Sequence, residues 1–213
     1  MAPSPRARAD LAAIPAYQAG RAAPAGAVKL SSNENPFPPL PGVETAIADA
    51  AATVNRYPDF GSVRLVNALA ARLDVGPEQI AVGTGSVAVL GQVMNAMAGA
   101  GDEIVIPWRS FEAYPILATL SGASLVRVPL RTDGTHDLEA MATAVTDRTR
   151  LIMVCTPNNP TGTCVRRAEL EHLLTQVPGD VLVAVDEAYV EFVRDAESPD
   201  ALSLALARDN VVV

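Results

Sequence analysis

Lysine is nearly missing from this 213-residue chain: Lys29 is the only one, and the permanently cationic side chains are otherwise arginine. Chemistry that runs through a lysine amine therefore has a single candidate in the sequence. Aromatic residues are also scarce, at 4%, so any cluster of them stands out. The two cysteines, Cys155 and Cys164, show neither metal-type nor redox-type spacing, so reduced thiols of a cytoplasmic protein are expected, and no metal site. No apolar run approaches the length that spans a bilayer. The segment LAAIPAY at 11–17 is too short and too broken by proline to be a signal-peptide core. Positive charge is in deficit as well. A net charge of −8 and a pI near 4.7 argue against nucleic acid or an anionic membrane as partner. A small anion held by local backbone amides is still allowed.

What the chain does have is apolar bulk. Hydrophobic residues make up 49%, enough to bury a core in one large domain or parts of two. Residues 1–41 are rich in Ala and Pro, with Pro36, Pro38, Pro39 and Pro41 crowded together. That density forbids regular helix or central strand and predicts an extended arm. From residue 42 short β-branched runs alternate with longer amphipathic ones. The predicted strands are 79–83, 103–107, 124–130, 151–156, 181–186 and 210–213. Between them Val66, Leu69 and Leu73 share one helix face, as do Leu90, Val93, Met94 and Met97. Ser198 and Pro199 predict the N-cap and first position of a helix over ALSLALARD. Strands alternating with helices predict an α/β domain over 42–213, its sheet mainly parallel and covered on both faces. The final NVVV is an apolar strand signal with no turn, cap or polar tail after it. Buried strands need neighbours on both sides, so the parent protein is expected to continue past Val213.

Four motifs fall just past predicted strands. In GTGS (83–86) a strand ends at Gly83 and a helix begins at Ser86. Free backbone N–H groups there face whatever sits above the turn, which makes an anion site; an ordinary strand–helix turn is the plain alternative. A dinucleotide site fits less well, because the third glycine is not at the required spacing. PWRSFEAY (107–114) sets aromatics at 108, 111 and 114, one of which could stack on a planar ring or simply fill the core. TPNNPTGT (156–163) makes a rigid loop that fixes side-chain amides in place. In VAVDEAYVEF (183–192) Asp186 closes a very apolar strand. A carboxylate buried there is costly unless it meets a cation or several donors. A protonated pyridine nitrogen is such a cation; capping the next helix is the alternative. All four lie at the carboxyl edge, where open α/β sheets bind ligands.

Taken together, SNENP (32–36), NRYPD (55–59), GTGS, WRSFEAYP (108–115), PNNPTGT (157–163) and DEAYVEF (186–192) resemble the histidinol-phosphate aminotransferase family. Members are fold-type I enzymes that use pyridoxal phosphate (PLP). WRSFEAYP is most similar to the actinobacterial aromatic amino acid (phenylalanine) aminotransferase branch, and the resemblance runs from about Leu11 to Val213. It implies a three-layer α/β/α large domain over 42–213, incomplete in this chain, with 1–41 as an N-terminal arm belonging to the small domain. It also implies roles. Gly85 and Ser86 hold the cofactor phosphate with backbone amides, Phe111 stacks on the pyridine ring, Asn159 and Tyr189 bond the phenolic oxygen, and Asp186 pairs with the ring nitrogen. Tyr57 reaches across a homodimer interface to the neighbouring subunit's phosphate. Tyr17 and Asn33 lie near the substrate, or else pack the arm without touching it.

Family members carry the Schiff-base lysine just after the strand that matches NVVV, and the arginine for the substrate carboxylate later still. Both are expected beyond Val213, with Lys29 a surface or structural residue, so the 213 residues are not expected to transaminate by themselves. The resemblance leaves several readings open. One is part of a transaminase for aromatic amino acids with 2-oxoglutarate as acceptor. The others are a histidinol-phosphate transaminase, a non-catalytic PLP-binding remnant, and decarboxylation on the same scaffold.

Overall fold

Five of the six predicted strand segments pair into one parallel sheet. They are β1 (Glu103–Trp108), β2 (Ser124–Pro129), β3 (Thr149–Cys155), β4 (Leu182–Asp186) and β5 (Val211–Val212), in the order β2-β1-β3-β4-β5. The computed structural model that shows this describes residues 8–14, 24–29 and 32–213. Alternate residues along each strand enter opposite layers, as the two-residue strand period requires. Ile104, Ile106, Leu151, Met153, Cys155 and Ala184 pack against Leu90 and Met94 of α3 (Gly85–Met97) and against Tyr114 and Ala118 of α4 (Ala113–Ser121). Val105, Ile152, Val154, Val183, Val185 and Val211 face the other way. There they meet Leu138 and Met141 of α5 (Leu138–Thr143), Leu170, Leu173 and Leu174 of α6 (Arg167–Gln176), and Ala201 of α7 (Ala201–Ala207). The three-layer α/β/α architecture is thus present, and the central strands are apolar on both faces because helices cover both.

The sixth segment, 79–83, is not a strand. Pro77–Gln79 form a 3₁₀ turn and Ile80 is extended, but the sheet contains no strand from this stretch. Extended backbone becomes a strand only when a ladder partner takes its N–H and C=O groups. The cap expected at Ser198 is also displaced. Asp200 is the N-cap of α7, its carboxylate accepting from the Ser203 amide at 3.1 Å and the Ser203 hydroxyl at 2.6 Å. Both residue types are good caps; what decides is that the helix starts at Ala201, leaving the Ser198 hydroxyl buried without a hydrogen bond among the described residues.

Packing divides the chain into Met1–Ile14 with Gly83–Val213, and Pro15–Val82. These lines differ from the 41/42 boundary, which follows a change in composition. In the first unit the arm contains a 3₁₀ turn, Ala9–Ala13, where only extended chain was expected. Arg8 ties it down by donating to the Thr119 and Leu120 carbonyls at 2.6 and 3.2 Å, which are orphan acceptors at the end of α4. In the second unit α1 (Pro41–Ala51) and α2 (Val63–Leu73) are the helices. Pro41 begins α1 rather than continuing the extended run, since a missing N–H costs nothing in a first turn. Asp59 accepts from the Gly61 and Val63 amides at 3.1 and 2.6 Å, closing the turn that enters α2.

Candidate functional site

The strand order reverses direction between β1 and β3, and a cleft of about 260 Å³, counting its open mouth, lies on this carboxyl edge. Such switch points are where doubly wound sheets bind ligands. Ser86, Phe111, Asn159, Asp186 and Tyr189 line the cleft, together with Cys155 and Ala188. Five of the residues singled out in the sequence therefore meet in one place, each delivered by the end of a strand or the start of a helix.

Asp186 ends β4 beside Cys155, its register partner at the end of β3. It is only 9% exposed. Its Oδ2 accepts from the Tyr114 hydroxyl at 2.6 Å, and its Oδ1 from the Ala188 amide at 3.1 Å. These donors meet the cost of burying a carboxylate. No helix is capped by it: the next turn, Val190–Phe192, starts after Tyr189. Burial pushes the Tyr114 hydroxyl far above its ordinary value, with the negative charge of Asp186 adding to the effect, so it remains a protonated donor. The Cys155 thiol is raised as well, by burial first and by Asp186 second. It is therefore a neutral wall of the cleft, bonded to the Pro157 carbonyl at 3.4 Å, rather than a reactive thiolate.

The doubled asparagine divides its work. Asn159 faces the cleft, its amide 3.4 Å from the Tyr189 hydroxyl. Asn158, 2% exposed, stitches the loop instead. It accepts from the Ser110 hydroxyl at 2.6 Å and donates to Thr161 Oγ1 at 2.8 Å and the Arg109 carbonyl at 3.3 Å. One buried side chain thereby joins the loop that carries Phe111 to the loop that carries Asn159.

The phosphate-type turn begins its helix at Gly85, one residue earlier than predicted. Gly85 has φ +74°, and its amide donates to the Gly83 carbonyl at 2.9 Å, while Ser86 lines the cleft. A side chain at Gly83 would come within 3.0 Å of the Ala88 Cβ, which explains the glycine there. α3 carries no acidic residue in its first turn, leaving the positive end of its dipole uncompensated by the helix itself.

Tyr57 is 89% exposed, its ring 6.2 Å from Phe60, and Asn33 is exposed with φ 52°. Both belong to the Pro15–Val82 unit. Lys29, in the same unit, is ion-paired with Glu34. Tyr17 lies outside the described residues. Of the three aromatics in PWRSFEAY, Phe111 lines the cleft and Tyr114 is core. Trp108 has the guanidinium groups of Arg109 and Arg127 within 5.4 and 5.5 Å of its ring. Sequence reasoning missed Tyr114 as the partner of Asp186, the bridging role of Asn158, and Cys155 and Ala188 as lining. For the last two a signal was available, since both sit at the same strand edge as Asp186. Among the described residues no group of three or more His, Cys, Asp or Glu is placed to hold a metal, and no helix is long and apolar enough to cross a membrane.

A parallel α/β/α sheet with an acidic, aromatic and amide-lined cleft at its switch point defines a class, and sequence comparison agrees. The chain belongs to the aminotransferase class I and II family, whose model matches residues 25–213. It is 56% identical over 213 residues to an aromatic amino acid aminotransferase of Streptomyces coelicolor, covering 99% of this chain and 59% of that protein. An aromatic amino acid aminotransferase of Rhodococcus jostii is 55% identical over 210 residues, at 99% and 58% coverage. Among solved structures, histidinol-phosphate aminotransferase from Sinorhizobium meliloti in complex with pyridoxal-5'-phosphate superposes with a TM-score of 0.77 at 31% identity. That match covers 84% of this chain and 49% of that one. The chain thus spans about three fifths of the length of these curated relatives.

Proposed function

We propose that this chain is the cofactor-holding portion of a PLP-dependent aminotransferase whose whole form transfers amino groups between aromatic amino acids and 2-oxoglutarate. The observation that carries the reading is the meeting of Ser86, Phe111, Asn159, Asp186 and Tyr189 in one cleft. Their chemistry fits PLP. Asp186 offers a buried carboxylate to a protonated ring nitrogen, and Phe111 an apolar ring to the pyridine. Asn159 and Tyr189 offer hydrogen bonds to the phenolic oxygen. Ser86, with the Gly85 turn before it, offers the amino end of α3 to the phosphate. When bound, PLP supplies an electron sink for bonds at the α-carbon of an amino acid. The protein's part is to hold that ring flat, keep its nitrogen beside a negative charge and anchor its phosphate.

The 56% identity to a protein named for aromatic amino acids favours that substrate class over histidinol phosphate, the substrate class of the 31% identical solved structure. In the whole protein Tyr57 is assigned to the phosphate of a second subunit in a cytoplasmic homodimer, and Tyr17 and Asn33 to the substrate side. Lys29 is the chain's only lysine and is held by Glu34, so the 213 residues are assigned binding without turnover. Assaying the whole protein with phenylalanine and with histidinol phosphate at matched concentrations tests the reading. Faster turnover of phenylalanine is expected; preference for histidinol phosphate, or turnover by the 213-residue chain alone, would overturn the corresponding part.

A further inference from the structure

Tyr114 occupies a position that core packing alone does not explain. It lies in the first turn of α4, fully buried among Ile106, Met153 and Cys155. A phenylalanine would fill the same volume. The added hydroxyl reaches Asp186 Oδ2 at 2.6 Å, in the short range typical of an O–H donor on a carboxylate. The other carboxylate oxygen is held by the Ala188 amide. Two donors from two different segments therefore fix both the plane and the direction of the carboxylate. The same turn of chain also sets Phe111, whose ring meets that of Tyr114 edge-on at 5.7 Å and 87°.

We infer that Tyr114 is a positioning residue: by donating to Asp186 Oδ2, it holds that carboxylate in the orientation in which it meets the nitrogen of a bound pyridine ring. The inference rests on the PLP reading above. Tyr114 touches no ligand itself and acts through Asp186. It differs from a plain core residue in one respect: its hydroxyl matters only to ligands that carry the ring nitrogen.

The test uses the full 213-residue chain and pyridoxamine phosphate, which needs no lysine to bind, with dissociation constants read from the ligand's fluorescence. A second ligand carries carbon in place of the ring nitrogen. Tyr114→Phe is expected to weaken pyridoxamine phosphate about tenfold, the loss typical of a hydrogen bond to a charged group, and to leave the carbon analogue unchanged. In an Asp186→Ala background the Tyr114 substitution is expected to change neither constant. Equal weakening of both ligands would make Tyr114 merely structural and overturn the inference, as would no weakening of either. A Tyr114 effect that persists without Asp186 would overturn it too. If the parent chain binds neither ligand, the PLP reading itself falls, which is distinguishable from all of these. Far-ultraviolet circular dichroism on each variant confirms that folded protein is being compared.

Discussion

His136 sits one residue before the Asp137 cap of α5 and is 3% exposed. Neither ring nitrogen makes a hydrogen bond among the described residues. Burial lowers its pKa from 6.5 to about 4, although the neighbouring Asn158 amide works in the opposite direction. Below pH 6.5 the unfolded chain takes up a proton that the folded chain refuses. Stability associated with the neutral ring is fully present above that value and is lost as pH falls toward 4. Linkage puts the loss at about 2 kcal/mol between pH 7 and pH 5, and about 3 kcal/mol by pH 4. The comparison is His136→Phe, which keeps an aromatic ring and removes both the titration and two unsatisfied polar atoms. Urea unfolding is followed through Trp108, the only tryptophan, which lies in the same compact unit. Groups common to both proteins cancel in the difference. The stability of wild type relative to the variant is expected to fall by about 2 kcal/mol between pH 7 and pH 5. Parallel curves for the two proteins would refute the buried neutral histidine.

Three further predictions concern the neighbourhood of α7. The Glu187 carboxyl is raised from 4.5 to about 7, by burial first and then by Asp200 and Glu191. The folded chain thus keeps a proton that the unfolded chain has already released, and the associated stability, full below about pH 4.5, is lost as pH rises through 7. Glu187→Gln should therefore raise the melting temperature relative to wild type at pH 8 and not at pH 4; an equal shift at both would contradict the assignment. Asp200→Asn keeps a capping oxygen for the Ser203 amide but removes the charge, so the Glu187 midpoint should move down by NMR titration with the fold unchanged. Asp200→Ala should cost about 1 kcal/mol through loss of the cap, measured by chemical unfolding.

The candidate site was legible because its residues announce themselves locally. Asp186 is conspicuous at the end of an apolar run, and doubled Asn and Pro are conspicuous in a loop. Apolar runs of strand length separated by helical periods specify a parallel sheet covered on both faces whatever the rest of the chain does. That follows from local chain geometry and the need to bury both faces, and the sequence alone determined it, along with the strand ends that deliver Phe111, Asn159 and Asp186 and the helix start that carries Ser86. Tertiary structure decided everything that depends on a partner. Residues 79–83 are strand-like in composition yet form no strand, because a ladder takes two chains. Ser198 and Asp200 are both capable caps, and the start of α7 chose between them. Asn158 and Asn159 are chemically identical, and burial made one a bridge and the other a wall of the cleft. Tyr114 and Asp186 are 72 residues apart, and only the packing of α4 against the sheet brings the hydroxyl to the carboxylate. Hydrogen bonds over that separation leave no local trace in sequence, since neither residue's own neighbours encode the other's position.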